Sequence, residues 1–342
     1  MFRQFEIFYI TLKSHNNMTF FNYIFTVIKN FKSNFHCLGK NNFDSILSSY
    51  NKAFYSIRHD LNICKKNLIF LYYDMHKEEG QKVKDELNYI KENEQIEAFP
   101  YPQIKKLSHD IVADFDKRLQ LPYVIHKGKR LYFTKDYSVE AAKAAYINFI
   151  ERENLLGGGF TAKAPHQYQT ENFKIDQNDI LLDIGCAEAL LTLDAIDIVK
   201  KAYLFESNPC WHDPLQATFA PYKEKIEFIP KYVTNTNSET CITLNSIFSK
   251  IKGESFFIKM DIEGEEENVI TSSQAFLDSP NNIKIACCTY HKPHHAESIS
   301  NYLKNLNYEV TFSDGYMLFF LDSGISPPYF RKGVLRAWRK HT

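Results

Sequence analysis

Residues 179–206, DILLDIGCAEALLTLDAIDIVKKAYLFE, constrain the fold more tightly than any other stretch of the chain. Asp179 to Ile184 is a short, almost wholly apolar run, the pattern of a strand buried on both faces of a parallel sheet. It stops at Gly185. Cys186, Ala187, Glu188 and Ala189 follow, all small or helix-compatible. Then comes a helical run to about Lys201, with Leu190, Leu193, Ile196 and Val199 at spacings of three. A second apolar run, Ala202 to Phe205, closes on Glu206. The unit is therefore strand, tight turn, helix, strand, with an acid ending the second strand. That acid lies about 20 residues beyond the glycine, the distance at which a carboxylate hydrogen-bonds the ribose of a bound nucleotide.

Two cofactors suit such a crevice. A dinucleotide needs three glycines so that its pyrophosphate can sit on the helix N-terminus, and only Gly185 is present here. S-adenosylmethionine carries no phosphate and asks for a close-packed turn plus the ribose acid. Asp183, just before the turn, suits its positively charged amino acid end. The competing reading makes Asp183 a helix-capping acid and Glu206 a surface acid.

Lys plus Arg and Asp plus Glu both number 41, so no global field draws nucleic acid or anionic lipid to the chain. The seven cysteines show no Cys-x-x-Cys and no zinc-type spacing, and Cys186 and Cys287 stand in apolar contexts. The expectation is a reducing, cytoplasmic setting. No run approaches the ~20 apolar residues of a membrane span. The apolar start has only Arg3 as a basic flank and no small-residue cleavage site, so it is not read as a secretory signal.

Residues 1–100, rich in Phe, Asn, Tyr and Lys, predict a mostly helical extension. Met18 is as good a start as Met1, and Phe20 to Ile28 could lie as an amphipathic helix on a membrane surface, a peripheral contact, or pack on its own domain. Helical spacing recurs at 43–58 and 77–95. Pro100 and Pro102 mark a boundary. A connecting region, 101–159, carries helices at 104–120 and 137–153 and a hairpin at 123–133 turning on Lys127-Gly128-Lys129. After the Gly157–Gly159 joint, strands are expected at 179–184, 202–206, 226–230, 256–260, 283–289, 308–313 and 316–321. The last two flank Asp314-Gly315, a hairpin signal. The fold class is α/β, a seven-stranded mostly parallel sheet over 160–325 with a terminal antiparallel hairpin. The basic tail 326–342 is expected to end in a solvated helix.

A second constellation lies at 256–270, FFIKMDIEGEEENVI. Glu265 and Glu266 suit the first turn of a helix. Asp261 and Glu263 sit at the carboxyl end of a central strand, where open α/β sheets bind ligands. The next strand, IKIACCTY, delivers His291 to the same edge.

The blocks LLDIGCAEALL, YLFESNPCW, FIKMDIEGEE, CCTYH and FSDGYMLFF, over roughly residues 155–332, resemble an FkbM-family methyltransferase. The Lys-x-Asp-x-Glu-Gly segment at 259–264 is the most specific mark, and APHQY resembles the family's short Pro-His element. The resemblance implies a class I, Rossmann-like, S-adenosylmethionine-dependent O-methyltransferase acting on hydroxyls of sugars, glycans or secondary metabolites. It implies cofactor contacts from Asp183, Gly185 and Glu206, and puts Asp261 and Glu263 on the reacting side; Cys186, Ala187, Ser207 and His166 are further expected cofactor contacts. Ala189 stands where the family has the turn's last glycine, a second Glu follows Glu265 where a small residue then an acid is favoured, and Asn245 replaces an Asp, a change read as helix capping.

Transfer to a hydroxyl needs a base, and His291 is the first candidate because imidazole titrates near neutral pH. Asp261 is the other, as base or as ligand of a divalent ion; the sequence singles out no complete ligand set. His166 could close over the cofactor or meet substrate. Trp211 is read as packing, and His294 and His295 as surface residues opening a helix. The alternative function is a non-catalytic binding module with the same fold. A nucleic-acid methyltransferase is a third reading. Ser326-Pro327-Pro328-Tyr329-Phe330 mimics the motif of amine methylation but lies in the tail rather than after the fourth strand.

Overall fold

In the computed structural model the described residues are 40–107, 111–249, 251, 255–319 and 326–339. The expectations for residues 1–17, Met18 and Phe20 to Ile28 lie outside them. The chain divides into two compact units, one of residues 1–98 with 319–329 and one of residues 99–318 with 330–342.

The first unit is helical, with α1 (Lys40–Met75), α2 (Lys77–Lys82) and α3 (Lys84–Glu92). Tyr72 Oη donates to Glu79 Oε2 at 2.8 Å and Lys66 Nζ to the Asn93 carbonyl, tying the helices together. None of the described helices is long and apolar enough to cross a membrane.

The second unit opens with a three-stranded antiparallel sheet, β1 (Ala113–Asp116), β2 (Leu121–His126) and β3 (Lys129–Tyr132). The expected hairpin is present, and Lys127 and Gly128 both take positive φ, as a two-residue primed turn requires. The expected helix at 104–120 is not formed: this segment holds β1, whose strand pairs with β2. A helix, α4 (Val139–Ile147), capped by Ser138, continues into a π turn at Asn148–Arg152. His126, buried, pairs through Nε2 with Asp194 at 2.8 Å and fastens this sheet to the next helix layer.

The main sheet follows: β4 (Ile180–Ile184), α5 (Leu190–Ala195), β5 (Lys201–Phe205), α6 (His212–Phe219), β6 (Ile226–Ile229), the short pair β7 (Tyr232–Val233) and β8 (Cys241–Ile242), then α7 (Leu244–Phe248), β9 (Ser255–Met260), α8 (Glu266–Thr271), α9 (Gln274–Leu277), β10 (Asn282–Cys288), α10 (His295–Asn305) and β11 (Glu309–Phe312). After β12 (Met317–Leu318) and β13 (Phe330–Arg331), β14 (Val334–Trp338) returns to the sheet. The seven strands lie in the order β11-β14-β10-β9-β4-β5-β6. β14 runs antiparallel to both its neighbours, and the other pairings are parallel. Alternation along each strand divides the core. Leu181, Leu204, Phe257 and Cys288 face one apolar layer, while Leu182, Phe205, Ile258 and Cys287 face the other.

Two expectations about the end of the chain are corrected. The antiparallel partner of β11 is β14, not 316–321, because Met317 and Leu318 pair with Arg331 and Phe330 instead. The basic tail is accordingly a strand: Val334, Leu335 and Ala337 are fully buried, and an apolar alternation in VLRAW outweighs the flanking charges. Its Arg336 is buried too, donating through Nε to the Tyr168 carbonyl at 3.1 Å and through Nη2 to the Gln167 carbonyl at 2.5 Å. A Cβ on Gly333 would lie 1.9 Å from the Pro165 carbonyl, so β14 grips the APHQY segment. Replacing Arg336 by Met leaves two carbonyls without this donor, and a loss of about 2–4 kcal/mol is expected, read as a lower urea midpoint.

Candidate active site

β4 and β9 are parallel neighbours, and Asp183 is paired in register with Lys259. Just beyond, Gly185 turns with φ of 70°, and a Cβ there would stand 1.9 Å from the Asp261 carbonyl oxygen. The turn after β4 and the loop that carries Asp261 are thus built against each other. Asp183 is buried, accepts from Thr192 Oγ1 at 2.7 Å and lies 3.3 Å from Lys259 Nζ. Lys259 Nζ in turn donates to the Gly185 carbonyl at 2.5 Å. Burial opposes the charge on Lys259, but Asp183 and Asp261 outweigh it and raise its pKa above the ordinary range. Asp183 therefore holds the lysine that holds the turn.

Glu206, half-buried at the end of β5, accepts from Ala187 N through Oε2 at 3.0 Å and from Asn208 N through Oε1 at 2.7 Å. It straps the turn to β5, and each carboxylate oxygen keeps a second lone pair for a ligand hydroxyl. Cys186 is buried, its thiol pushed well up by burial, and Ser207 is half-buried beside Glu206. Glu188, not singled out in the sequence reading, is buried in the turn, and burial pushes its carboxyl up to about 7 against the pull of its own backbone and Lys259. Ala189 precedes α5 with φ of 58°. The residues fit S-adenosylmethionine: the turn admits close approach, and acids surround it on both sides.

On the other side stands Asp261. Tyr168 Oη donates to its Oδ2 at 3.1 Å and Tyr290 Oη to its Oδ1 at 3.2 Å. His166 Nε2 and His291 Nε2 each lie 3.5 Å from the carboxylate. Behind these, His166 Nδ1 meets Glu153 Oε2 and His291 Nδ1 meets Glu266 Oε1, both at 2.9 Å. Burial alone would raise the Asp261 pKa. The His166 hydrogen bond and the charges of His291 and Lys259 overcome that and hold it far below the usual carboxylate range. Burial would likewise lower both histidines, yet hydrogen bonding to Asp261 raises His166 and pairing with Glu266 raises His291. The array is a carboxylate between two imidazoles and two phenols.

The structure thus brings His291, Asp261 and His166 together; the contacts of His166 are with Glu153, Tyr168, Asp261 and Cys288. Glu263 departs from this set. Its side chain is 89% exposed, with Oε2 3.6 Å from His291 Nε2, on a residue with φ of 56°. Two donor sets, His166–Asp261–Cys288 and Asp261–Glu266–His291, keep their donor atoms within 4.8 Å of one another. Asn245 does not cap its helix. Thr243 does, while Asn245 Nδ2 donates to the Ser272 carbonyl, a contact an Asp could not make. Trp211 packs beside Phe133 in the core as expected. His295 is wholly buried instead of lying on the surface, because α10 turns it inward against α8.

Tyr168, Tyr290, Glu153 and Glu266 were missed in the sequence. The signal for Tyr290 was adjacency to His291 at a strand end, and for Tyr168 its place two residues after His166. Glu153 stands far from either motif, and Glu266 reads equally well as a helix-dipole acid.

Among known proteins, no curated protein matches the chain. Solved structures similar to part of it include a precorrin-6y C5,15-methyltransferase from Geobacter metallireducens, 12% identical over 49% of this chain and 84% of that one, with a TM-score of 0.33. An rRNA methylase from Streptococcus thermophilus is 11% identical over 49% and 90%, with a TM-score of 0.33. The METTL16 methyltransferase domain is 13% identical over 63% and 75%, with a TM-score of 0.36. Residues 186–310, from the turn after β4 into β11, match the methyltransferase FkbM domain. The chain carries an FkbM methyltransferase domain and is an S-adenosylmethionine-dependent methyltransferase.

Proposed function

We propose that the chain methylates a hydroxyl oxygen of a sugar, glycan or other secondary metabolite. The observation that supports this most is the ionised Asp261, ringed by Tyr168, Tyr290, His166 and His291 directly across from the Gly185 turn. Such a ring of donors and acceptors suits an acceptor rich in hydroxyls. When bound, S-adenosylmethionine supplies an electrophilic methyl group on a sulfonium. Asp261 accepts a hydrogen bond from the acceptor hydroxyl and aligns its oxygen in line with the methyl. His291 Nε2, when its ring is neutral, would take the hydroxyl proton released on methylation of that oxygen.

His291 takes a proton only when neutral, and its pKa is raised, so the rate is expected to climb with pH above the usual imidazole value near 6.5. In a pH profile His291→Gln removes that rising limb; a wild-type rate flat above pH ~6.5 would exclude His291 as the base.

The first test of the reading is calorimetric titration of S-adenosylmethionine into the wild type and Glu206→Ala. At least tenfold weaker binding is expected in the variant, a difference of about 1.4 kcal/mol or more. An acceptor screen then follows, with His291→Ala and Asp261→Ala as controls. A wild type that bound no cofactor would put the non-catalytic module in place of the enzyme. Salt-sensitive binding to RNA or DNA would move the acceptor to nucleic acid, against the balance of 41 cationic and 41 anionic residues.

A further inference from the structure

The first turns of α8 and α10 lie side by side, away from the ring around Asp261, and bring Glu267, His294 and His295 together. His294 Nε2 is 3.0 Å from Glu267 Oε2, and His295 Nε2 is 3.9 Å from the same oxygen. All three donor atoms fall within 4.8 Å of one another. His295 has no exposed surface, and neither of its ring nitrogens has a hydrogen-bond partner. A wholly buried imidazole left so is costly unless something not yet bound completes it.

The ring's other end points to what that is. His295 Nδ1 faces Glu266 Oε2 at 3.5 Å, a buried carboxylate oxygen that also lacks a hydrogen bond. A carboxylate behind one imidazole nitrogen, with the other nitrogen free among donor atoms, is the arrangement by which proteins orient a metal-ligating histidine. Zinc bonds of about 2.0–2.2 Å in a tetrahedron set ligands a little over 3 Å apart. The three donors reach that spacing by movements on the order of 1 Å.

We propose that Glu267, His294 and His295 form a divalent-metal site, best matched to zinc, with Glu266 orienting His295. His294 is 60% exposed, so the ion enters from solvent and keeps its fourth position there. Bound metal would clamp α8 to α10. Glu266 also contacts His291 Nδ1 at 2.9 Å, so the same carboxylate supports the metal ligand and the histidine facing Asp261. The site stands independently of the hydroxyl-methylation reading.

The test uses the full chain, stripped with chelator and titrated with Co²⁺ by calorimetry and visible absorption, then with Zn²⁺ in competition. Expected is one Co²⁺ with the absorption of a tetrahedral site, displaced by Zn²⁺. His294→Ala and Glu267→Gln should each weaken binding at least tenfold while circular dichroism stays unchanged, since both side chains are partly exposed. Absence of Co²⁺ and Zn²⁺ binding by the wild type, or binding that survives both substitutions, overturns the proposal.

Discussion

Asp261→Asn is expected to cost about 3–5 kcal/mol of stability near neutral pH, the loss that follows when one partner of a buried charge array is removed. The amide still accepts from Tyr168 or Tyr290 but brings no charge, and the two buried imidazoles facing it lose the anion that favours their protonated forms. The sign of the pH dependence follows from the shifts. His166 and His291 are raised, so the stability they contribute is full below about pH 6.5 and lost as pH climbs through their folded values. Asp261 is depressed, so its contribution is present above about pH 3.9 and lost as pH falls through its folded value. The gap between wild type and variant is therefore widest between these limits and narrows as pH climbs through the raised folded values of the two histidines. Urea midpoints at about pH 6 and about pH 9 measure it. Methyl transfer should fall by about 100-fold or more, with cofactor affinity held within a few-fold. An equal loss of stability at both pH values would refute the charge array.

That array shows which parts of the site can be read from a sequence. Asp261 and His291 were legible because each ends a strand whose apolar run announces it, and parallel strands deliver their carboxyl ends to one edge. Glu206 was legible through its distance from Gly185. The supports were not. Glu153 reaches His166 from the π turn after α4, and Arg336 reaches the backbone of Gln167 and Tyr168 from the last strand, more than 160 residues away. Contacts of that kind follow from the sheet order, and the sheet order hinged on the end of the chain. Asp314-Gly315 is sound turn chemistry, yet the chain leaving it enters β12, and VLRAW, with one charge at its centre, completes the sheet. Local turn propensity was overridden by the burial available between β10 and β11. Glu188 illustrates a different limit: in sequence it reads as a helix former in a turn, and only the packing around it shows that burial lifts its carboxyl to about 7.

Gly185→Ala is the sharpest test of the cofactor-side geometry. Two penalties combine. The residue has φ of 70°, a conformation that costs a non-glycine residue about 1–2 kcal/mol. The added methyl would also stand 1.9 Å from the Asp261 carbonyl oxygen and 2.9 Å from its carbon. These are backbone atoms, so no rotamer change relieves the contact; β4 and β9 must part, and overpacking adds about 1–3 kcal/mol. A total loss of about 2–5 kcal/mol is expected, with at least tenfold weaker binding of S-adenosylmethionine. Ala189→Gly, four residues on, isolates the first penalty. Its φ of 58° is also left-handed, and its methyl is already accommodated in the core, so glycine there relieves strain without opening a clash. That variant should be stabilised by up to about 1 kcal/mol or left unchanged. If both variants shifted the urea midpoint the same way, close approach of β4 to the Asp261 loop would not be what fixes glycine at 185. If they diverge as expected, the turn's first glycine is required for space, whereas its last position needs only a backbone that tolerates positive φ, which is how this chain keeps the turn with Ala189 in the left-handed region.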